Sequence, residues 1–414
     1  MASPTLLDPT SLPGPASLRE ARARAAARFE QGPLPTDADE IWRYSRIGEL
    51  DVGAWAAARP SAPPSVPAAV RRVLELVGER SAFALTVDGA LAEVGGTGVH
   101  AVREGDSVGG LASAPWDAFA ELNAAQAPTP IVIAVPDGTV VDAPVVVCHW
   151  TGTAGAVTFP RTIVRVGVNA RVMVLEYHLS ADVAAWVDPV TEIVVADGGH
   201  VDHLVVQELG PSVWQTAYVT GAVGRDASLR TFTVALGGDY ARVRTDSKIT
   251  GTGGDAQLLA LYCGNGTQMH DFRTLQDHEG AKSTSDLVFK GAVADEARSA
   301  YSGLIRVRRG AAGTKAFQTN RNLVLSDTGL ATYSVPNLEI EENDVSCSHA
   351  SATGPIDRDQ VFYLESRGVP TVVAERLVVL GFFADLLDRF PLEALREYLV
   401  HAIGTKLALD PSHG

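Results

Sequence analysis

Residues 162–177, with the sequence TIVRVGVNARVMVLEY, contain two runs rich in β-branched residues on either side of a four-residue turn. Residues 162–166 and 172–177 have the length and composition of short strands. Between them, Gly167, Asn169 and Ala170 fall in a sequence typical of a tight turn. Two strands joined by a turn, with no helix between them, predict a region built of strands alone.

The same strand–turn unit recurs along the chain from about residue 129. Further strand-like runs lie at residues 145–150, 192–195, 203–207, 229–234 and 257–262. Turn sequences that end in alanine recur too, and their alanines at positions 170, 227, 256 and 281 are 57, 29 and 25 residues apart. Such a repeat is typical of a β-solenoid, in which each turn covers the open face of its neighbour. A large β-sandwich shows the same periodicity, so the pattern alone leaves both folds open.

The segment before the repeat is rich in alanine and arginine and is expected to form a helical or mixed domain. Ser17 could cap a helix over residues 18–29, with Arg22 on its surface. A proline-rich linker at residues 59–67 and a helix at 68–77 are predicted to follow.

The segment after Cys347 is predicted to be helical. Helices are expected at residues 357–367 and 371–390 and from 392 to about 403, and Asp357 could cap the first of them. These helices would close the end of the repeat, whose last turn otherwise leaves strand edges open. The predicted domains are therefore residues 1–128 (helical or mixed), 129–346 (repeat) and 347–414 (helical).

Composition indicates an ordinary globular protein. The 414 residues are 46% hydrophobic and 20% charged, and the net charge of −15 argues against a nucleic-acid-binding surface. One basic cluster, formed by Arg306, Arg308, Arg309 and Lys315, is interpreted as a solvated strand face.

A cytoplasmic location is expected. The first thirty residues lack the apolar core of a secretory signal, and three widely spaced cysteines do not form a disulfide framework. The apolar segment at residues 369–387 is interrupted by Glu375, Arg376 and Asp385, so it predicts a buried or amphipathic helix and no membrane anchor.

The strongest chemical candidate lies in residues 337–368. Alternation over residues 338–341 predicts a half-buried strand, and if this strand continues, Cys347 and His349 lie on one face of it. A thiol beside an imidazole can bind a soft or borderline metal. Two ligands do not complete a site, so the others must come from elsewhere.

Other histidines and cysteines are weaker candidates. In the run from His200 to His203, His200 and Asp202 share a strand face that His203 does not, which favours a surface turn over a metal site. The pairs at residues 270–271 and 277–278 (His270, Asp271, Asp277 and His278) could approach each other across neighbouring turns, in a metal-binding or a structural role. Cys148 and Cys263 lie in apolar strands and are interpreted as core residues.

Several motifs are absent from the sequence. It contains no phosphate-binding loop of the Gly-x-x-x-x-Gly-Lys type, no clustered cysteine ligand set and no glycine fingerprint for a dinucleotide. The chain is therefore not expected to hydrolyse ATP or to hold a stable iron–sulfur cluster alone.

Several of these segments together resemble one known family. The sequences DVSCSH at 344–349, PNLEI at 336–340 and FYLESRG at 362–368 resemble the C-terminal signature of the SufB/SufD family, scaffold subunits of the Suf iron–sulfur cluster assembly machinery. The family resemblance also extends upstream, to residues 40–44, 268–271, 278, 290–291, 303 and 320–323. The SufD branch is favoured because no cysteine lies close to Asn320 or Asn322. Residues 350–353 (Ala-Ser-Ala-Thr) depart from the family pattern.

The resemblance implies a right-handed parallel β-helix and a role as a non-catalytic subunit. It implies a SufB-like partner at the end near residues 320–350, a SufC-like ATPase bound to the C-terminal helices, and a transient iron–sulfur cluster shared with the partner. His349 and Cys347 would be the iron or nascent-cluster ligands. A flavin is compatible with the resemblance, although no sequence motif supports it, and the isolated chain could form a homodimer.

Two alternatives remain at this point. The chain could be a SufB-like homodimeric scaffold, which a cysteine near Asn320 would have supported. It could also be a β-helix carbohydrate-active enzyme, although aromatic residues make up only 7% of the chain and no acid pair beyond Glu341 and Glu342 suggests itself.

Overall fold

The computed structural model describes residues 5–59, 65–107, 110–111, 117–325 and 332–407. These residues form mostly strands, arranged as a parallel β-solenoid of about 8 turns with helices at both ends of the chain. The helices are α1 Ala16–Gln31, α2 Ala68–Val77, α3 Ala118–Gln126, α4 Arg358–Ser366, α5 Thr371–Leu387 and α6 Glu393–Lys406. The strands are β1 Ala56–Ala57, β2 Ala82–Val87, β3 Ala90–Gly96, β4 Val99–Ala101, β5 Ile131–Val135, β6 Val145–Thr151, β7 Ala156–Thr158, β8 Arg161–Val166, β9 Arg171–Ser180, β10 Ala185–Val187, β11 Val190–Val195, β12 His200–Glu208, β13 Val213–Val223, β14 Ser228–Ala235, β15 Tyr240–Ile249, β16 Asp255–Gly264, β17 Met269–His278, β18 Thr284–Val293, β19 Arg298–Val307, β20 Thr314–Val324, β21 Thr332–Ile340 and β22 Val345–Pro355.

Successive strands of the solenoid alternate between two sheets. Within the described residues, one sheet has twelve strands and runs β21-β19-β17-β15-β13-β11-β8-β5-β4 along its main path, and the other has ten and runs β22-β20-β18-β16-β14-β12-β9-β6-β2-β3. A residue pairs with the one a full turn later, as His200 on β12 does with Ser228 on β14, 28 residues further along. These long parallel ladders exclude a β-sandwich and confirm the β-helix.

The turn sequences are explained by their backbone conformation. Asn169 and Asp226 adopt left-handed conformations with φ of 53° and 52°, and Gly253 does so with φ of 73°. Asparagine, aspartate and glycine tolerate this region better than other residues do. The alanine that follows Asn169 or Asp226 is buried, so each turn returns the chain into the interior with a small side chain.

Two separate apolar layers stabilise the solenoid. The inside, which we call the lumen, contains aliphatic residues of both sheets, such as Val174, Ile193 and Leu258. Alternate residues of the ten-stranded sheet point outward and form a second core with the helices, which includes Leu259 and Leu261. Cys148 and Cys263 lie in this second core, as predicted, and burial raises the pKa of each thiol to about 12.

The N-terminal region packs along the solenoid, from Trp186, which Phe119 contacts edge-to-face, to Tyr333 on β21, which stacks on Tyr44. Two local predictions for this region are wrong. The helix α1 begins at Ala16 without a side-chain cap, so Ser17 is not its N-cap. Arg22 is fully buried, because its guanidinium donates hydrogen bonds to the carbonyl groups of Ala127 and Pro128 at 2.8 and 2.9 Å and of Pro13 at 2.8 Å. The predicted linker lies partly in residues 60–64, outside the described residues.

The C-terminal helices have the predicted bounds to within a few residues, and Asp357 caps α4 by accepting hydrogen bonds from the backbone of Asp359 and Gln360. One expectation for this segment is wrong. The strand that carries Cys347 continues to Pro355, so the helical part begins only at Arg358. The predicted domain boundaries at 128 and 346 stay predictions.

The helices also do not close the end of the solenoid. They lie along the outer face of the ten-stranded sheet, where Phe390 packs edge-to-face on Phe232 with ring centroids 5.2 Å apart. Phe383, Leu395 and Leu399 are fully buried there, which explains why the helices prefer this face. The last turn of the solenoid is left uncovered as a result. No helix in the described part of the chain is long and apolar enough to cross a membrane.

Candidate functional site

Cys347 and His349 lie on β22, the strand at one edge of the ten-stranded sheet. This strand pairs in parallel with β20, so that Cys347 lies beside Ala316 and His349 beside Gln318. Because β22 is an edge strand, its outer row of backbone N–H and C=O groups has no neighbouring strand in the described chain. Strand β21 forms the equivalent edge of the twelve-stranded sheet.

The two side chains share one face of β22, as predicted, and this face points into the lumen. Their neighbours Ala316 and Gln318 are 0% and 1% exposed, and Cys347 packs with the interior cluster that contains Ile305. His349 itself is exposed because no further turn covers it. Burial raises the pKa of the Cys347 thiol, so a metal would have to displace its proton.

Part of the lumen beneath the terminal turn is polar. Ser351 Oγ donates to Ser334 Oγ at 2.7 Å, and Ser334 Oγ donates to Asn320 Oδ1 at 3.0 Å. Asn320 in turn donates to the Tyr262 hydroxyl at 3.3 Å, and that hydroxyl donates to Asn322 at 2.5 Å. A chain of hydrogen bonds thus runs from the exposed edge strand to the buried Tyr262.

The terminal turn does not form a complete metal site from the described residues. No group of three or more histidine, cysteine, aspartate or glutamate side chains among the described residues is arranged to hold a metal ion. Cys347 and His349 alone therefore do not complete a metal site among the described residues. Apolar side chains exposed on the same open end, with Leu338 at 37% and Ile340 at 43%, fit a surface that a protein partner covers.

The structure separates the residues of the His200–His203 run. His200 is exposed and its Nδ1 lies 2.7 Å from Ser228 Oγ, in agreement with a surface role. Asp202 forms an ion pair with Arg230, with a nitrogen–oxygen distance of 2.7 Å. His203 is fully buried in the lumen, so a surface turn is the wrong interpretation for it.

The pairs at residues 270–271 and 277–278 do not come together. All four residues lie on the single strand β17, at its two ends, and not on neighbouring turns. His270 Nε2 contacts the Cys263 carbonyl at 3.0 Å, whereas His278 contacts Ser283 and Ser285. Burial lowers the pKa of His270 to about 3 and that of His278 to about 4, so both are neutral structural residues.

A buried carboxylate in the lumen was missed by the sequence reasoning. Glu176 accepts hydrogen bonds from His203 Nε2 and from Thr191 Oγ1, each at 2.7 Å, and from His149 Nε2 at 3.3 Å. Burial acts to raise the pKa of Glu176, but the hydrogen bonds and charges of His149 and His203 outweigh it and hold that pKa well below its usual range. The sequence did contain a signal for it. Val172, Val174 and Glu176 are every second residue of one strand, so Glu176 follows two apolar residues on the face that points inward.

A groove of about 840 Å³ lies between α4, α5 and the ends of β20 and β22. Its lining includes Leu323, Pro355, Tyr363 and Leu377. Tyr363 and Leu377 are 58% and 48% exposed, and Phe362 beside them is 70% exposed. An exposed apolar groove of this size is typical of a protein–protein contact.

One buried lysine fixes α5 to the solenoid near this groove. Lys290 on β18 donates to the Phe382 carbonyl at 2.7 Å and to Asp385 at 2.5 Å. Its ammonium group also lies 4.9 Å from the centre of the Phe382 ring. Helix α5 and the strands close to the terminal turn are therefore joined by polar contacts as well as by apolar packing.

Sequence comparison identifies the family. Residues 149–382 match the family model described as "SUF system FeS cluster assembly, SufBD core domain", which is more than half of the chain. The protein belongs to the SufB/SufD family of iron–sulfur cluster assembly proteins. This membership argues against the alternative of a carbohydrate-active enzyme.

Named relatives agree with the family match. The chain is 32% identical over 392 residues to a SufBD-family iron–sulfur cluster assembly protein of Mycobacterium tuberculosis, covering 92% of this chain and 91% of the relative. It is 27% identical over 384 residues to the iron–sulfur cluster assembly protein SufD of Escherichia coli, covering 90% and 89% of the two chains. It is 33% identical over 226 residues to SufD of Bacillus subtilis, covering 53% and 50%.

Proposed function

We propose that this chain is a SufD-type scaffold subunit that builds iron–sulfur clusters together with a SufB-like scaffold and a SufC-like ATPase. It does not catalyse a reaction alone, and it works in the cytoplasm. The similarity to two proteins named SufD supports the branch, as does the lack of a cysteine near Asn320.

One observation carries the proposal: Cys347 and His349 lie side by side on the lumen face of an uncovered terminal turn. A thiolate and an imidazole are suitable ligands for iron. The missing ligands would come from the SufB-like partner, which covers the open end and pairs with the edge strands β21 and β22. Iron is then the cargo of the site, held between two chains and released with the finished cluster.

The groove along α4 and α5 is the proposed surface for the SufC-like ATPase. The link from β22 to α4 consists of Ile356 and Asp357 alone, so a movement of α4 acts directly on the strand that carries His349. ATP-driven movement of the ATPase subunits could in this way open and close the shared site. This arrangement assigns no residues to a flavin. A second copy of the chain could cover the open end when the SufB-like partner is missing.

The test is the iron and acid-labile sulfide content of the complex co-expressed with its SufB-like and SufC-like partners. We expect His349→Ala to lose most of the iron while the complex still assembles. His200→Ala is the matched control, because His200 is also an exposed histidine on a strand of the same sheet but lies far from the open end.

Size-exclusion chromatography reports assembly separately from iron content. Iron and sulfide at wild-type levels in an intact His349→Ala complex would contradict the role of His349 and would leave this subunit with an architectural role. Loss of iron in both variants would also contradict it, because the effect would then not depend on the terminal turn.

A further inference from the structure

The lumen directly beneath Cys347 and His349 contains a residue that no sequence motif suggested. Gln318 lies directly beneath His349 in the in-register parallel ladder of β20 and β22. Neighbouring strands of such a ladder are about 4.8 Å apart, and both side chains point to the same face. Gln318 is only 1% exposed, so its amide meets protein and not solvent.

Among the described residues, only the nitrogen of the Gln318 side-chain amide makes a hydrogen bond. Its Nε2 donates to the Tyr301 hydroxyl at 2.6 Å, and Tyr301 is fixed by Thr274 at 3.1 Å. Gly303 leaves the room for this arrangement, because a Cβ there would lie 2.4 Å from Gln318 Nε2 and 2.2 Å from the Tyr301 hydroxyl. The orientation of the amide is therefore set by its surroundings.

The oxygen end of the Gln318 amide lacks the hydrogen bond that a buried acceptor needs. The Oε1 atom of Gln318 is buried and has no hydrogen-bond partner. Leaving a buried acceptor unsatisfied is costly, and such atoms in native proteins call for an explanation. Above it, His349 makes no hydrogen bond to any described residue, so its ring N–H is available as a donor.

We propose that Gln318 is a positioning residue for His349. When a partner chain covers the open end, Gln318 Oε1 accepts a hydrogen bond from one ring nitrogen of His349. This leaves the other ring nitrogen unprotonated and turned toward the metal. Histidine ligands of metals generally donate their second ring N–H to a carbonyl or carboxylate, which fixes the tautomer and the ring orientation. The inference rests on the proposed role of His349 as an iron ligand.

The lumen provides a matched control for this residue. Gln276 is also a buried glutamine, 0% exposed, with an unpartnered Oε1. Its neighbour on the next turn is Ile305, however, and not a histidine. Replacement of Gln276 therefore reproduces the loss of a buried amide without removing an acceptor beneath His349.

The experiment is an anaerobic Co²⁺ titration of the purified complex with its SufB-like and SufC-like partners, followed by the visible absorption of the bound metal. We expect Gln318→Leu to weaken Co²⁺ affinity by about 10–100-fold, the range seen when such supporting partners are removed. Gln318→Glu keeps an acceptor and should retain the affinity, and Gln276→Leu should bind as wild type does. If Gln318→Leu does not assemble, Gln318→Ala replaces it.

A double variant separates positioning from general damage. In a His349→Ala background, Gln318→Leu should have no further effect, because the two residues act through one ligand. Wild-type affinity in Gln318→Leu would overturn the inference, and so would an equal loss in Gln276→Leu or an additional loss in the double variant. Wild-type affinity in His349→Ala would instead contradict the proposed function on which the inference rests.

Discussion

Removing the carboxylate of Glu176 should destabilise the solenoid from the inside. Glu176 is 1% exposed and receives two hydrogen bonds of 2.7 Å, from His203 and Thr191, and a longer one of 3.3 Å from His149. Glu176→Ala leaves these donors without an acceptor in the lumen. Breaking a buried charged pair in this way costs about 3–5 kcal/mol. Glu176→Gln keeps most of the volume and one acceptor oxygen, so we expect it to cost only about 1 kcal/mol.

The pH dependence of stability tests the charge itself. The pKa of Glu176 is lowered in the folded state, so the ionised carboxylate stabilises the fold above its unfolded pKa of about 4.3, and this contribution is lost as the pH falls through the folded pKa. The third nearby imidazole, His178, is neutral at pH 6 and gains a proton only near pH 3, because burial lowers its pKa to about 3; this protonation occurs in both proteins. Wild type should therefore lose more stability than Glu176→Gln on going from pH 6 to pH 3.

The assay is urea unfolding followed by circular dichroism, at pH 7 and at steps down to pH 3. Glu20→Ala serves as control, since Glu20 is paired with Arg24 at 3.8 Å on an exposed helix face and should cost less than about 0.5 kcal/mol. A cost below about 1 kcal/mol for Glu176→Ala would refute the reasoning. Parallel pH curves for wild type and Glu176→Gln would refute the assignment of a charged carboxylate.

Two further substitutions test the packing of the terminal turns. Gly291→Ala places a Cβ 2.0 Å from the ring of the buried Tyr262, so it should lower the free energy of unfolding by about 1–3 kcal/mol, measured by thermal unfolding. Gly354→Ala is its control, because a Cβ there has no atom within 4 Å and the substitution should be nearly neutral. Lys290→Met removes the polar contacts that fix α5, so hydrogen exchange in the C-terminal helices should accelerate by about 5–150-fold, as expected for a loss of about 1–3 kcal/mol. The exposed Lys315→Met is its control, and equal exchange in both variants would contradict the role of Lys290.

The repeat and the helices could be predicted because their signals are local. Alternating β-branched runs and the turn at Asn169 indicate strands at a spacing that suits a solenoid, and Asp357 marks a helix start through contacts within three residues. The common face of Cys347 and His349 also follows from strand geometry alone.

What could not be predicted depends on contacts between distant residues. Arg22 has the charge of a surface residue, and its burial depends largely on the carbonyl groups of Ala127 and Pro128, about a hundred positions away. The side-on position of the C-terminal helices depends on which face of the sheet offers Phe232 and its apolar neighbours. Gln318 becomes noticeable only once the register shows it beneath His349.

The side-on position of the helices means that the chain can be approached in two directions at right angles. A protein bound to the groove along α4 and α5 approaches across the solenoid axis, and a protein on the open end approaches along it. Under the proposed function, the chain would therefore present separate surfaces to its two partners. Each turn adds about 4.8 Å along the axis, and the number of turns therefore sets how far the first strands of the solenoid lie from the surface that carries Cys347 and His349. The N-terminal region spans this distance, because Tyr44 stacks on Tyr333 of the edge strand β21 with ring centroids 4.4 Å apart.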